Sequence, residues 1–244
     1  MKNSLHSFLV SQSAKGRKLV ALLVDPDSLE AGTVAMAAGS GADLILVGGS
    51  LLSHGDMQKT IAQLKKACPI PVFIFPGSIL QICENADGIL NLSLISGRNP
   101  EYLIGQHVVA APLLRSSGIE ILPVGYMLID SGRQTTASYM SGTPSIPHEK
   151  DNIAMCTAMA GEMLGLKSIY LDAGSGAATT VSPSMVKLVR KNISIPLFVG
   201  GGIRDVKTAT ELCKAGADII VIGTGAEKNP AFAKQITTAV HSLK

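Results

Sequence analysis

Gly216-Ala217-Asp218-Ile219-Ile220-Val221-Ile222-Gly223-Thr224-Gly225 repeats, near the end of the chain, the pattern of Gly41-Ala42-Asp43-Leu44-Ile45-Leu46-Val47-Gly48-Gly49-Ser50 near its beginning. In each copy a glycine stops a helix, a short apolar run makes a strand, and a glycine-rich turn follows. Working outward from these copies, further short apolar runs alternate with longer helical patterns. Strands are expected at 19–24, 44–47, 72–75, 89–92, 121–123, 169–171, 197–199 and 219–222. They are mostly apolar throughout, without alternation, as parallel strands buried on both faces must be. Eight such βα units favour closure into a (β/α)8 TIM barrel, with an irregular βα unit allowed in the first half.

The 244 residues match the length of one barrel and form one expected domain, 1–244, because no Pro/Ser-rich linker divides them. Hydrophobic residues make up 46% and charged residues 16%, which excludes disorder and demands a large buried core. The apolar runs are strand-sized and end at Gly or Asp, so no membrane span is expected. The N-terminus is interrupted by Lys2, His6 and Ser7 and lacks a leader pattern, which points to the cytoplasm. A net charge of +3, evenly spread, gives no nucleic-acid footprint. Cys68, Cys83, Cys156 and Cys213 show no CxxC spacing and read as small core residues. Pro100 and Pro183 fit first-turn helix positions, and Asp205 can cap the helix running to Lys214. The segment 131–150, with Gly132, Gly142, Pro144 and Pro147 among Ser and Thr, reads as a long loop after the fifth strand.

Three strand ends are glycine-rich in succession: Tyr170-Leu171-Asp172-Ala173-Gly174-Ser175-Gly176, Val199-Gly200-Gly201-Gly202-Ile203-Arg204 and Ile222-Gly223-Thr224-Gly225. Backbone N–H groups of such turns point at an anion, and barrels build phosphate sites after their last strands. Tyr170 and Asp172 share one side of the sixth strand and can grip hydroxyls of a phosphorylated ligand. Asp172 can also accept a proton as general base, or it can merely cap the next turn. Across the barrel, Asp25 ends the first strand and Ser50 the second. A carboxylate and a hydroxyl on adjacent strand ends suit Mg2+, which keeps waters and completes its shell with phosphate oxygens. Asp27 is the weaker ligand candidate and can start the following helix. His54, His107 and His148 lack metal-ligand spacing and read as surface or loop residues. Two anion sites imply two phosphorylated substrates. No lysine falls within an expected strand, Lys18 and Lys167 only preceding strands, so a Schiff-base aldolase lacks its nucleophile. A sugar-phosphate isomerase or synthase, and a phosphate-binding barrel without catalysis, stay open as rival readings.

Taken together, Val24-Asp25-Pro26-Asp27, Gly48-Gly49-Ser50, the 170–176 run, Gly200-Gly201-Gly202-Ile203-Arg204 and Gly223-Thr224-Gly225 resemble the geranylgeranylglyceryl phosphate synthase family, including its bacterial members, over nearly the whole chain. The resemblance implies a Mg2+-dependent prenyltransferase. It would join geranylgeranyl diphosphate (C20) to the 3-hydroxyl of sn-glycerol 1-phosphate, releasing diphosphate and making the first ether bond of an ether phospholipid. It assigns Asp25 and Ser50 to the metal and diphosphate. To glycerol 1-phosphate it assigns Tyr170, Leu171, Asp172, Ala173, Gly174, Ser175, Gly176, Gly201, Gly202, Gly223 and Thr224. Family members often carry Glu where this chain has Asp172, so here the carboxylate sits on a shorter arm. Tyr102, in Asn99-Pro100-Glu101-Tyr102-Leu103-Ile104, stands where C20 enzymes resembling this one have a bulky aromatic, so it is expected to limit the prenyl chain to C20. The alternative within the family is a longer prenyl diphosphate, as in heptaprenylglyceryl phosphate synthases. A homo-oligomer is also expected.

Overall fold

The computed structural model describes residues 4–223, 225 and 230–243. Eight parallel strands close into a barrel in sequence order: β1 (Leu19–Val24), β2 (Leu44–Val47), β3 (Val72–Ile74), β4 (Gly88–Leu94), β5 (Glu120–Leu128), β6 (Ser168–Asp172), β7 (Leu197–Gly200) and β8 (Ile219–Ile222). The ring shuts where Leu19 stands opposite Ile219. Alternate residues of each strand serve two cores. Leu44, Leu46, Phe73, Leu90, Tyr170 and Phe198 fill the barrel's interior, while Ile45, Val47, Val72, Ile74, Ile169 and Leu171 pack outward against helices. That double burial is why the runs are apolar at every position.

The helices are α1 (Leu5–Ala14), α2 (Ala31–Gly39), α3 (Met57–Ala67), α4 (Gln106–Ser117), α5 (Thr136–Ser141), α6 (Asp151–Met163), α7 (Pro183–Asn192), α8 (Val206–Ala215) and α9 (Pro230–His241). Pro183 opens α7, and Asp205 caps α8 by accepting from Thr208 N. The irregular unit allowed in the first half is the β3–β4 crossover, which has only a 3-10 turn, Ile79–Gln81, in place of a helix. Pro100 opens a π-helical stretch, Glu101–Gly105, that runs into α4. The N-terminal helix α1 plugs the far end of the barrel: Leu5 and Leu9 join the interior core, and Glu120 accepts from the N–H groups of Leu5 and His6.

β4 and β5 run well past the expected bounds, β4 by taking in Ser93 and Leu94 and β5 by continuing to Leu128, while β6 and β7 gain only a residue at one or both ends. Pro123 does not interrupt β5: its carbonyl accepts from Lys167, before β6 begins, so its missing N–H falls outside the β6 ladder. The expected loop 131–150 is also corrected. It contains α5, started by a capping box between Thr135 and Ser138, and Ile146 pairs with Ile129 beside the sheet. Cys68, Cys83 and Cys213 are buried, whereas Cys156 is exposed on α6 and is no core residue.

The repeated Gly-Ala-Asp has a mechanical meaning. Asp43 and Asp218 each accept an N–H at the start of the preceding strand, from Val20 and Leu197, and pair with cations. Asp87, in Asn85-Ala86-Asp87, does the same for Val72 and pairs with Lys65. These three carboxylates latch strand pairs at the end of the barrel away from the glycine-rich turns.

Candidate active site

At the other end, the strand termini enclose a polar basin. Asp25, Gly48, Gly49 and Ser50 line it on one side; Tyr170, Asp172, the 174–176 turn, Gly201, Gly202 and Gly223 line it on the other. The structure thus gathers most of the residues expected from sequence into one space. Leu171 and Ala173 differ: their side chains are buried in the outer core, behind the basin. Thr224 lies outside the described residues.

Gly201 shows why glycine is needed here. Its φ of +82° is left-handed, and a Cβ would sit 2.5 Å from the backbone nitrogen of Gly174, closing the gap between two turns. Gly48, with φ +146°, has a comparable constraint, since a Cβ would fall 2.1 Å from the Phe75 carbonyl oxygen.

Asp25 follows β1 and caps a short 3-10 turn, Oδ1 accepting from Asp27 N at 2.9 Å. Its Oδ2 faces Gly49, so a donor remains available to the basin. Burial raises the Asp25 pKa against the opposing backbone hydrogen bond from Asp27. Asp27 points elsewhere. Its carboxylate accepts from the backbone of Ser53, His54 and Gly55, and these bonds with the Ser53 hydroxyl hold it well below the usual carboxylate range. Asp27 therefore anchors the β2–α3 loop. Among the described residues, no cluster of three or more His, Cys, Asp or Glu could cage a metal.

Asp172 ends β6 with both oxygens engaged. Tyr126 donates its hydroxyl to Oδ2 at 2.6 Å, and Gly174 N donates to Oδ1 at 2.7 Å. Burial raises the Asp172 pKa, and the two hydrogen bonds pull the other way. Tyr126 is pushed well above its ordinary value by burial and by the neighbouring carboxylate. Tyr170 packs below, with ring centroids 5.5 Å from Phe75 and from Tyr126. Gly200 leaves space for its hydroxyl: a Cβ there would approach the oxygen to 2.5 Å. Arg133, on the β5–α5 loop, also lines the basin, its guanidinium against Gly176. Sequence reasoning missed Tyr126 and Arg133. Tyr126 is hidden in an apolar strand, and Arg133 in a segment read as loop.

A second space, mostly apolar, lies beside the basin and shares Gly49, Ser50, Phe75 and Ala137 with it. It passes Phe75, Pro76 and Ile79 and descends between β4 and α4, walled by Ile89, Leu92, Ala110 and Leu114. Gln81 supports its roof, donating to the Gly49 carbonyl and accepting from Gly77 N. Tyr102 lines this trough, and its hydroxyl donates to the Met140 carbonyl at 3.2 Å, tying the π-helical turn to α5. His107, expected on the surface, also lines it.

Residues 12–242 match the PcrB family. The chain belongs to the PcrB family. Two members of known name are similar along nearly their whole length. One is the geranylgeranylglyceryl phosphate synthase of Chitinophaga pinensis, 48% identical over 99% of this chain and 98% of its own. The other is the enzyme of the same name from Spirosoma linguale, 52% identical over 93% of each chain. Among solved structures, (S)-3-O-geranylgeranylglyceryl phosphate synthase from Thermoplasma acidophilum, in complex with its substrate sn-glycerol-1-phosphate, aligns with a TM-score of 0.90 at 31% identity over 98% of both chains. In this member of the PcrB family, basin and trough together form the candidate active site.

Proposed function

We propose that the chain is a geranylgeranylglyceryl phosphate synthase, transferring a C20 prenyl group from its diphosphate to the 3-hydroxyl of sn-glycerol 1-phosphate and so making the first ether bond of an ether phospholipid. The observation that carries this reading is a polar, glycine-rimmed basin beside an apolar trough, the two sharing Gly49 and Ser50 in their walls. A prenyl diphosphate has that same division between charged head and hydrocarbon tail. The similar enzymes named above support it. An isomerase acting on one sugar phosphate has no use for the trough.

In this reading the 174–176 turn, Gly201, Gly202 and Gly223 hold the phosphate of glycerol 1-phosphate through backbone N–H groups, and Tyr170 and Asp172 orient its hydroxyls. Asp25 and Ser50 would hold Mg2+, a set of few protein donors that fits an ion completed by water and diphosphate oxygens. Bound there, Mg2+ supplies compensation for charge growing on the leaving diphosphate. The glycerol oxygen attacks the allylic carbon, forming the C–O bond as the carbon–diphosphate bond breaks and its electron pair departs with diphosphate. Asp172 takes the hydroxyl proton. Tyr126 and Gly174 N hold the carboxylate still, so that the shorter arm of Asp relative to Glu is fixed in place. Tyr102 narrows the trough where the tail turns downward, favouring C20.

Among the described residues, no helix is long and apolar enough to cross a membrane. Val108, Val109 and Leu113 are exposed on α4, which supports self-association into a homo-oligomer. The test is direct. Purified protein given geranylgeranyl diphosphate, Mg2+ and each enantiomer of glycerol phosphate should form ether and release diphosphate with the 1-phosphate. No product from either enantiomer would overturn the proposal.

A further inference from the structure

The charges of the basin are unevenly employed. Among the described residues its walls carry two carboxylates, Asp25 and Asp172, and two guanidinium groups, Arg133 and Arg204. Arg204 is engaged with the protein itself, its Nη2 donating to the Ala177 carbonyl oxygen just past the 174–176 turn. Arg133 is exposed, and among the described residues its guanidinium donates to no acceptor.

The backbone nevertheless holds Arg133 in register with that turn. Ser131, buried at the start of the β5–α5 loop, accepts from Thr179 N through its carbonyl at 3.2 Å and donates its hydroxyl to the Arg133 carbonyl at 3.3 Å. Thr135, also buried, lies over Gly174, where a Cβ would meet its side chain at 2.7 Å. Arg133 stands between these two anchors and lies against Gly176, where a Cβ would fall 2.6 Å from Nη2. Any side chain at Gly176 would compete with the guanidinium for that space. The loop thus delivers one fork of N–H donors to the rim of the turn whose backbone N–H groups are assigned to phosphate.

A phosphate monoester carries about −1.5 to −2 charges near neutrality. Backbone N–H groups meet it with partial charges only, and the Asp172 carboxylate repels it. An arginine fork matches two phosphate oxygens with parallel charge-assisted hydrogen bonds and stays charged throughout the working pH range. We propose that Arg133 is a further binding residue for the acceptor, its guanidinium closing on the phosphate of glycerol 1-phosphate from the side opposite the glycine turns. The inference rests on the prenyltransferase reading above. It divides the phosphate site into a neutral half, the glycine N–H groups, and an ionic half on the β5–α5 loop.

The experiment is two-substrate kinetics on the wild type, Arg133→Ala, Arg133→Lys and Gln134→Ala, with calorimetry of sn-glycerol 1-phosphate and of inorganic phosphate alone, and folding followed by thermal melting. Arg133→Ala should raise KM for glycerol 1-phosphate about ten- to hundredfold, the range of a hydrogen bond to a charged group, and change KM for the prenyl diphosphate less than about twofold. Affinity for inorganic phosphate should fall by a similar factor. Arg133→Lys should recover part of the loss, because it keeps the charge without the fork, and added guanidinium ion should restore part of the Arg133→Ala activity. Such rescue is a readout that a merely structural role would not move. Gln134→Ala, at the exposed neighbour, should match the wild type; an equal loss there would show a disturbed loop and overturn the proposal. Unchanged affinities for glycerol 1-phosphate and inorganic phosphate in folded Arg133→Ala also overturn it, as does a rise confined to KM for the prenyl diphosphate. A wild type that turns over no prenyl diphosphate overturns the prenyltransferase reading instead, and the calorimetry then decides the arginine separately.

Discussion

Tyr126→Phe deletes one hydroxyl from beneath the reaction site while keeping the ring that packs on Phe75 and Tyr170. The lost group donates a 2.6 Å hydrogen bond to Asp172, and that bond favours the ionised carboxylate. A hydrogen bond to a charged group contributes about 1.5–3 kcal/mol, and one pH unit corresponds to about 1.4 kcal/mol. In the proposed mechanism Asp172 accepts the hydroxyl proton and must be ionised. Because burial already raises its pKa, the wild-type acid limb of kcat/KM should lie above the ordinary carboxylate range. Removing the donor should move that limb upward by about one to two pH units. The assay is a pH–rate profile of diphosphate release at fixed Mg2+, with glycerol phosphate affinity measured alongside. At high pH, where Asp172 is ionised in both proteins, the mutant should recover much of the wild-type rate. A limb that stays in place refutes the assignment of Asp172 as the group that takes the proton. A mutant equally impaired at every pH leaves Tyr126 with a packing role.

Further expectations follow from the same geometry. Asp172→Asn should abolish turnover. A raised carboxylate pKa contributes stability that is present below the ordinary value and lost as pH rises through the folded value, so this substitution should also raise the melting temperature at neutral pH. An unchanged or lower value would refute a net cost of the buried charge. Asp25→Ala should remove turnover while calorimetry still detects glycerol 1-phosphate binding, because Asp25 lies across the basin from the 174–176 turn; normal turnover would remove Asp25 from the metal role. Tyr102→Ala should admit diphosphates longer than C20 by freeing the bend beside Met140, and an identical chain-length profile would refute that. Asp218→Ala strips partners from Arg190 and from Leu197 N, and should cost about 3–5 kcal/mol in denaturant titration. A loss below about 1 kcal/mol would show that the latch is not structural.

The fold was legible in the sequence because its signals are local. A buried parallel strand must be apolar at adjacent positions, and a βα turn at the rim needs glycine where φ is positive, as at Gly48 and Gly201. Those requirements mark strands and turns without reference to partners. The gathering of Asp25, Ser50, Tyr170 and Asp172 around one basin followed once the strands closed, since each stands at or just beyond a strand's C-terminal end. Other features had no local mark. Tyr126 bonds Asp172 across 46 positions of sequence, and its alternation within β5 is that of any core aromatic. Glu120 receives the N-terminus of α1, a contact set only when the helix plugs the barrel. By itself the sequence determined the barrel, its glycine rim and the candidate ligands, because backbone sterics and burial act residue by residue. Only the tertiary structure decided how Asp172 is held and which residues the trough shares with the basin, because these depend on groups made neighbours by closure of the ring.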